Sequence, residues 1–288
     1  MSGGALADRV TAKAQTAERF GYLWEQASPD PELIPSGYHF EKLERALTLP
    51  APAGIVLDAG AGEGIDLVNV ARRYDVEAIG AELSTGGCRT TARRILTVPD
   101  AHIVQADLGR LPFGDHGFDY IYSYGVLHHM AKPAEGLAEL SRVARPGGSV
   151  AIYLYEDFSD RSAFMRWWLR AANSLRHVTT RLPPRLLYVL CQAASPFVYA
   201  TFTVPHLVMS RVPGLRGLAQ SVPFRHGKGP LRLTGDLYDR FSAPVEYRYS
   251  REGSAAFMRE AGLDVVRVGN DRGWMVLGTV PSSQGARL

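Results

Sequence analysis

Acidic residues are missing from a long internal stretch of this chain. Between Arg161 and Arg232 there are eleven Lys or Arg residues and no Asp or Glu, although the net charge of all 288 residues is only +3. The remainder is therefore net acidic, and the molecule is electrically polarised. From Leu186 to Ser210 no formally charged side chain occurs at all. Cysteine is scarce: Cys88 and Cys191 are far apart and form no zinc or redox motif, so two reduced thiols are expected. No carboxylates and histidines gather at metal-ligand spacing, and no metal is expected. Residues 1–19 are polar and alanine-rich without an apolar signal-type run, so a cytoplasmic protein is expected. Internal repeats and long linkers are also lacking. What remains is an ordinary globular composition, 46% apolar, with enough chain for a sizeable core.

The most informative segment is Val56-Leu57-Asp58-Ala59-Gly60-Ala61-Gly62-Glu63-Gly64. Ile55, Val56 and Leu57 read as a strand covered on both faces. Three glycines at alternate positions allow a tight turn that brings backbone amides against a ligand. A dinucleotide fingerprint, G-x-G-x-x-G, would place the third glycine one residue later. Here an acid also precedes the first glycine, which suits a cationic or hydroxyl-bearing ligand better than a phosphate. Asp58 lies at the carboxyl end of its strand, where open α/β sheets bind ligands.

Further strands follow at Val76–Ala81, ending in Glu82, at Ala101–Gln105, before Asp107, and at Phe118–Tyr122, which leads into Ser123-Tyr124-Gly125-Val126-Leu127-His128-His129. Leu137, Leu140 and Val143 mark a helix, and Arg145-Pro146-Gly147-Gly148 ends it before a fifth strand over Ser149–Tyr155. Strands alternating with helices predict a doubly wound parallel sheet. Leu263–Val268 and Trp274–Val280 add two more strands, with residues past Pro281 as a tail.

The ordered series D-A-G-A-G-E-G, A-E-L-S, Q-A-D-L-G-R-L-P-F, F-D-Y-I-Y-S-Y-G-V-L-H-H and R-P-G-G resembles the class I S-adenosylmethionine-dependent methyltransferases, in particular their small-molecule branch of quinone and natural-product enzymes. The likeness covers about residues 37–156 and resumes at about 250–280. It implies an α/β, Rossmann-like sheet of seven strands with the last antiparallel, and S-adenosyl-L-methionine as cofactor. Carried over residue by residue, it assigns Asp58, Gly60, Gly62 and Gly64 to the methionine part, Glu82 to the ribose hydroxyls and Asp107 to the adenine amino group. The Leu108 backbone would lie beside the ring, and Ser123 would contact the methionine end.

A sulfonium methyl is already activated, so catalysis is largely alignment and exclusion of water. A base is needed only for a protonated nucleophile, and His128 and His129 are candidates, as histidine titrates near neutral pH. The alternative is a structural role. Glu156, at the end of the fifth strand, is a candidate to orient a histidine or bind substrate. A helix over Asp8–Gln26 carries Phe20, Leu23 and Trp24 at helical spacing, Ser28-Pro29-Asp30-Pro31 breaks it, and a second helix covers His39–Leu47. Residues 1–50 thus read as a helical cap in which Tyr22 and Trp24 are candidate substrate contacts, or else core aromatics.

Residues 51–156 and 250–281 form the expected cofactor-binding core, and 157–249 an insert. Phe164, Trp167 and Trp168 are expected to share a helix with Arg161, Arg166 and Arg170. The uncharged stretch after Arg185 is long enough to raise a membrane span, but Gln192, Ser195, Pro196, Thr201, Thr203 and Pro205 weaken it. A buried pair of helices that encloses substrate or joins protomers is the main expectation, with contact to anionic lipid as the alternative. At the insert's end, Tyr247 and Tyr249 are candidate substrate contacts, and the histidine common near Tyr249 in similar sequences is absent.

Three functions stay open. The leading one is methylation of a bulky, partly apolar small molecule, lipophilic or anionic, with the acceptor atom undetermined. The second is lipid or quinone methylation at the inner face of the membrane. The third is a protein of the same fold that binds the cofactor without transferring methyl, such as a cyclase. No nucleic-acid module is recognisable, so no nucleic-acid partner is expected. Self-association of the aromatic insert stays open.

Overall fold

Apolar side chains alternate along the strands of this protein and sort into two cores, one on each face of a single sheet. The computed structural model describes residues 3–26, 38–219, 222, 224 and 229–282, with side chains from Thr11 onward. The break expected at Ser28–Pro31 and most of the tail past Pro281 lie outside these residues. In chain order the elements are α1 Gly3–Glu25, α2 His39–Leu47, β1 Gly54–Ala59, α3 Ile65–Arg73, β2 Val76–Glu82, α4 Thr85–Arg94, β3 Ala101–Gln105, β4 Phe118–Tyr124, α5 Pro133–Val143 and β5 Ala144–Leu154. There follow α6 Ala163–Thr179, α7 Pro184–Val198, α8 Val204–Arg211, the single turn α9 Arg216–Ala219, α10 Thr234–Ser242, α11 Arg251–Glu260, β6 Asp264–Asn270 and β7 Trp274–Thr279.

Two compact units result: Met1–Asp157 with Val245–Leu288, and Phe158–Pro244. The first holds a seven-stranded sheet in the order β3-β2-β1-β4-β5-β7-β6. β1 to β5 pair in parallel, whereas β7 runs antiparallel to both β5 and β6. This is the Rossmann-like α/β sheet expected, with its last strand reversed. Leu57, Ile121, Ile152 and Val276 enter one core with Leu137, Leu140 and Phe257 from α5 and α11. Val56, Tyr122, Ala151 and Met275 enter the other with Phe40, Leu43 and Leu67 from α2 and α3. Period-two alternation in strands buried on both faces explains why each strand feeds both cores. Burying one such leucine contributes about 1.5–3 kcal/mol.

One boundary differs from expectation. β5 starts at Ala144, so Arg145-Pro146-Gly147-Gly148 lies within the strand rather than before it. Phe118 pairs with Ala144 and Tyr120 with Ser149, so the extra residues bulge there, with Gly147 at φ 78°. A bulge absorbs additional residues on one strand without ending the ladder.

α1 crosses α4 within this unit on small residues. A Cβ on Gly86 would come 2.3 Å from the Gly21 carbonyl oxygen, so the close approach of the two backbones depends on glycine there. α4 itself begins at Ser84, whose Oγ accepts from the Gly87 amide at 3.1 Å.

The second unit is helical. Ser162 caps α6 by accepting from the Met165 amide. α7 and α8 run on through a π-helical turn over Tyr199–Thr203 into one helix, Pro184–Arg211. Within the chain only 22% of the most apolar stretch of this helix is buried, and its packed face carries Leu187, Cys191, Ser195 and Thr203.

Candidate functional site

β1 delivers Asp58 to the carboxyl edge of the sheet, and the chain then turns through Gly60 and Gly62 into α3. Gly60, Gly62 and Gly64 have φ values of 93°, 56° and 77°, in the left-handed region that favours glycine. At Gly60 the requirement is also steric, since a Cβ would lie 2.3 Å from Cγ2 of Val126.

The amides of this turn do not form an open nest. Those of Gly60 and Ala61 both donate to the Ala81 carbonyl, at 2.8 and 3.1 Å. The Gly62 amide donates to Oε2 of Glu82 at 3.1 Å. This corrects the expectation that they face a ligand: neighbouring acceptors on β2 already take them. An anion, which needs such donors, is thereby disfavoured.

Acidic groups remain instead. Asp58 is 4% exposed, and the Tyr122 hydroxyl from β4 faces its carboxyl group. Burial first, and the nearby Asp66 second, hold its pKa well above the ordinary carboxylate value. Glu82 ends β2, with Oε1 accepting from the Ser84 amide at 2.8 Å and from Ser84 Oγ at 2.6 Å. Burial raises its pKa, and these hydrogen bonds oppose the rise. Oε1 thus accepts twice and Oε2 once, so Glu82 is held rigid and can accept one more hydrogen bond, at Oε2. Two buried carboxylates beside the turn suit an ammonium group and a hydroxyl.

The turn is clamped from behind. Arg94, 1% exposed, donates through Nε to the Glu63 carbonyl at 2.8 Å and through Nη2 to its carboxylate at 3.2 Å. Tyr38 donates to the other Glu63 oxygen at 3.0 Å. Ser123, 1% exposed, donates to the Ala59 carbonyl at 2.8 Å and fixes β4 beside β1. Asp107 follows β3, with Oδ1 accepting from the Gly109 amide and Oδ2 meeting Lys13 of α1 at 2.5 Å. Leu108, beside it, is buried.

His128 and His129 fall in a short turn after β4 and differ sharply. His128 is fully buried, its ring 4.0 Å from that of Tyr155 and beside the Tyr153 backbone. Burial, then His129, then Arg248 hold its pKa well below the usual histidine value. His129 is anchored instead, its Nδ1 lying 2.8 Å from the Val245 carbonyl. A carbonyl only accepts, so Nδ1 carries the proton and Nε2, which has no partner, carries the lone pair.

Phe20 of α1 packs 5.4 Å from the His129 ring and 6.3 Å from Trp24. Trp24 in turn lies over the turn, where a Cβ on Gly62 would meet its indole at 3.1 Å. Tyr22, on the same helix, is half-buried. Glu156 is 3% exposed and pairs with Tyr249 beyond the end of β5. Tyr249 packs on Phe257, 5.2 Å away, and burial, then Tyr247, raises its pKa to about 12. Tyr247 is 45% exposed. Phe20, Lys13, Arg94 and the buried Glu246–Arg248 pair, 2.7 Å apart, carry no sequence signal as site neighbours.

Residues 57–152 match the family model for a methyltransferase domain. An O-methyltransferase of Penicillium expansum, cnsE, is 30% identical over 135 residues, covering 46% of this chain and 49% of that protein. A demethylmenaquinone methyltransferase of Beutenbergia cavernae is 36% identical over 117 residues, covering 39% and 47%. The chain thus spans about half the length of these curated relatives. Its fold is similar to a chain in the solved complex of the Haloferax volcanii Trm112 methyltransferase activator with a methyltransferase. That likeness has a TM-score of 0.53 at 16% identity, over 92% of this chain and 98% of the other.

Proposed function

We propose that this chain, which carries a class I S-adenosylmethionine-dependent methyltransferase domain, methylates a bulky, partly apolar small molecule. The turn after β1 carries the reading: its amides are taken internally, while two buried carboxylates, Asp58 and Glu82, stand beside it. Such a site favours the ammonium and hydroxyl groups of S-adenosylmethionine over a phosphate-bearing cofactor. The relatives include an O-methyltransferase and a demethylmenaquinone methyltransferase, which supports an organic acceptor.

When bound, the cofactor supplies a methyl group already activated on sulfur. Asp58 would hold the ammonium end, Glu82 the ribose hydroxyls, and Asp107 with the Leu108 backbone the adenine. Gly60, Gly62 and Gly64 shape the turn, and Ser123 fixes β4 at its side. Phe20 and Trp24 exclude water and give an acceptor an apolar surface to lie on. His129 Nε2 would accept the proton that a hydroxyl or similar nucleophile gives up on methylation. His128, neutral and enclosed, packs behind it, and Glu156 is a positioning residue.

The test uses S-adenosylmethionine labelled in its methyl group, producer-cell extract, and Glu82→Gln as control. Label should move into the organic fraction, and the variant should bind cofactor about tenfold more weakly, the loss of one charge-assisted hydrogen bond. Label confined to nucleic acid or protein overturns the small-molecule assignment. Tight cofactor binding without transfer to any fraction favours a non-methylating protein.

A further inference from the structure

The long helix of the second unit is amphipathic in the inverted sense. Its inward face carries Leu187, Cys191, Ser195 and Thr203, with Ser195 Oγ donating to the Pro230 carbonyl at 2.5 Å and Thr203 Oγ1 to the Phe224 carbonyl at 2.7 Å. Its outward face carries Leu186, Leu190, Phe197, Val204 and Leu207, all exposed, at intervals of four, seven, seven and three residues. α6 repeats the pattern with exposed Phe164, Trp167, Leu175 and Val178. Of eighteen exposed large apolar side chains among the described residues, fifteen belong to this unit. A soluble surface rarely gathers so many in one place.

Charge decides what covers them. The segment from Arg161 to Arg232 holds eleven basic and no acidic residues. A second copy seated face to face would set that charge against itself, and like-charge juxtaposition costs several kcal/mol. An anionic bilayer neutralises it and offers hydrocarbon to the apolar stripes. A full span does not fit, because one face of the helix stays packed on its own unit through Leu187, Cys191, Ser195 and Thr203.

We infer that Phe158–Pro244 is a monotopic docking surface for anionic lipid, with α6 and α7–α8 lying in the boundary between headgroups and acyl chains. The inference is independent of methyl transfer. Arg170 and Arg181, both exposed, supply headgroup contacts, and Trp167 and Phe197 supply insertion.

Flotation of the full-length protein with vesicles tests it. The protein should float with equal parts phosphatidylcholine and phosphatidylglycerol at about 0.15 M salt, and release at about 1 M, where screening is nearly complete. It should stay down with phosphatidylcholine alone. Arg170→Ala with Arg181→Ala should weaken partition about 30-fold, about fivefold for each arginine. Trp167→Glu or Phe197→Glu should abolish flotation, while cofactor affinity, measured by calorimetry on every variant, stays unchanged. Failure to float with either vesicle overturns the inference. So does equal, salt-insensitive flotation with both. A dimer in sedimentation velocity that Trp167→Glu or Phe197→Glu splits would make the face a self-association surface instead.

Discussion

His129 donates its Nδ1 proton to the Val245 carbonyl, 2.8 Å away, across more than a hundred residues of chain. The bond fixes the tautomer that leaves Nε2 basic, and it ties the turn after β4 to the segment returning from the second unit. If Nε2 accepts the acceptor's proton, His129→Ala lowers kcat by roughly 100-fold with no change in cofactor affinity. Titration calorimetry beside steady-state kinetics checks this. Equal losses in cofactor affinity and rate would assign the ring to structure alone.

His128 should make stability depend on pH. Its folded-state pKa is depressed by burial, so the unfolded chain binds the proton more readily. Stability is therefore full above about pH 6.5 and falls as pH drops below it, by up to about 1.4 kcal/mol per pH unit. Denaturant unfolding at stepped pH should show this slope reduced in His128→Gln. A slope identical to that of the parent would assign it to other groups.

Asp58 sets binding against stability. Burial raises its folded-state pKa above the unfolded value. The penalty is absent below about pH 4 and grows as pH rises toward the folded-state pKa. Asp58→Asn should accordingly raise the melting temperature of the ligand-free protein at neutral pH, by about 2–4 °C for each 1 kcal/mol relieved. It should also lose measurable cofactor binding. Scanning calorimetry with and without S-adenosylmethionine reads both effects, and a variant less stable than the parent would contradict the account.

The Arg94–Glu63 pair behaves differently, since Arg94 is 1% and Glu63 18% exposed at the side chain. Glu63→Ala removes a carboxylate that a buried guanidinium meets and should cost about 3–5 kcal/mol. Glu63→Leu combined with Arg94→Met should recover most of that loss, while cofactor affinity stays low because the turn loses its clamp. Chemical denaturation of the single and double variants settles the comparison.

Much of the sheet was legible because each strand is a short apolar run closed by a polar residue. Val56–Leu57 before Asp58 and Ala78–Ala81 before Glu82 place both acids at one edge once the strands are parallel. What stayed hidden depends on contacts between distant segments. Nothing local to Lys13 or Phe20 announces Asp107 or His129 as a neighbour, and the amides of Gly60 and Ala61 lose their freedom to a carbonyl on another strand. In the second unit, the uncharged run after Arg185 was legible, but not which of its side chains face outward. Its inward side, with Ser195 and Thr203, is packed by hydroxyls that bond to loop carbonyls. A reading based on hydrophobicity alone assigns the larger side chains inward.

Tyr249 bonds backbone to backbone with the segment following β5: its amide donates to Tyr155 at 2.9 Å and its carbonyl accepts from Asp157 at 3.0 Å. The points where the chain leaves the first unit and comes back are thereby stapled side by side. Closing a loop on ends already held together adds little entropy as the loop lengthens. Everything from Phe158 to Pro244 can thus be treated as an interchangeable cassette. A graft designed at Asp157 and Val245 would keep the same stapled ends whatever its length.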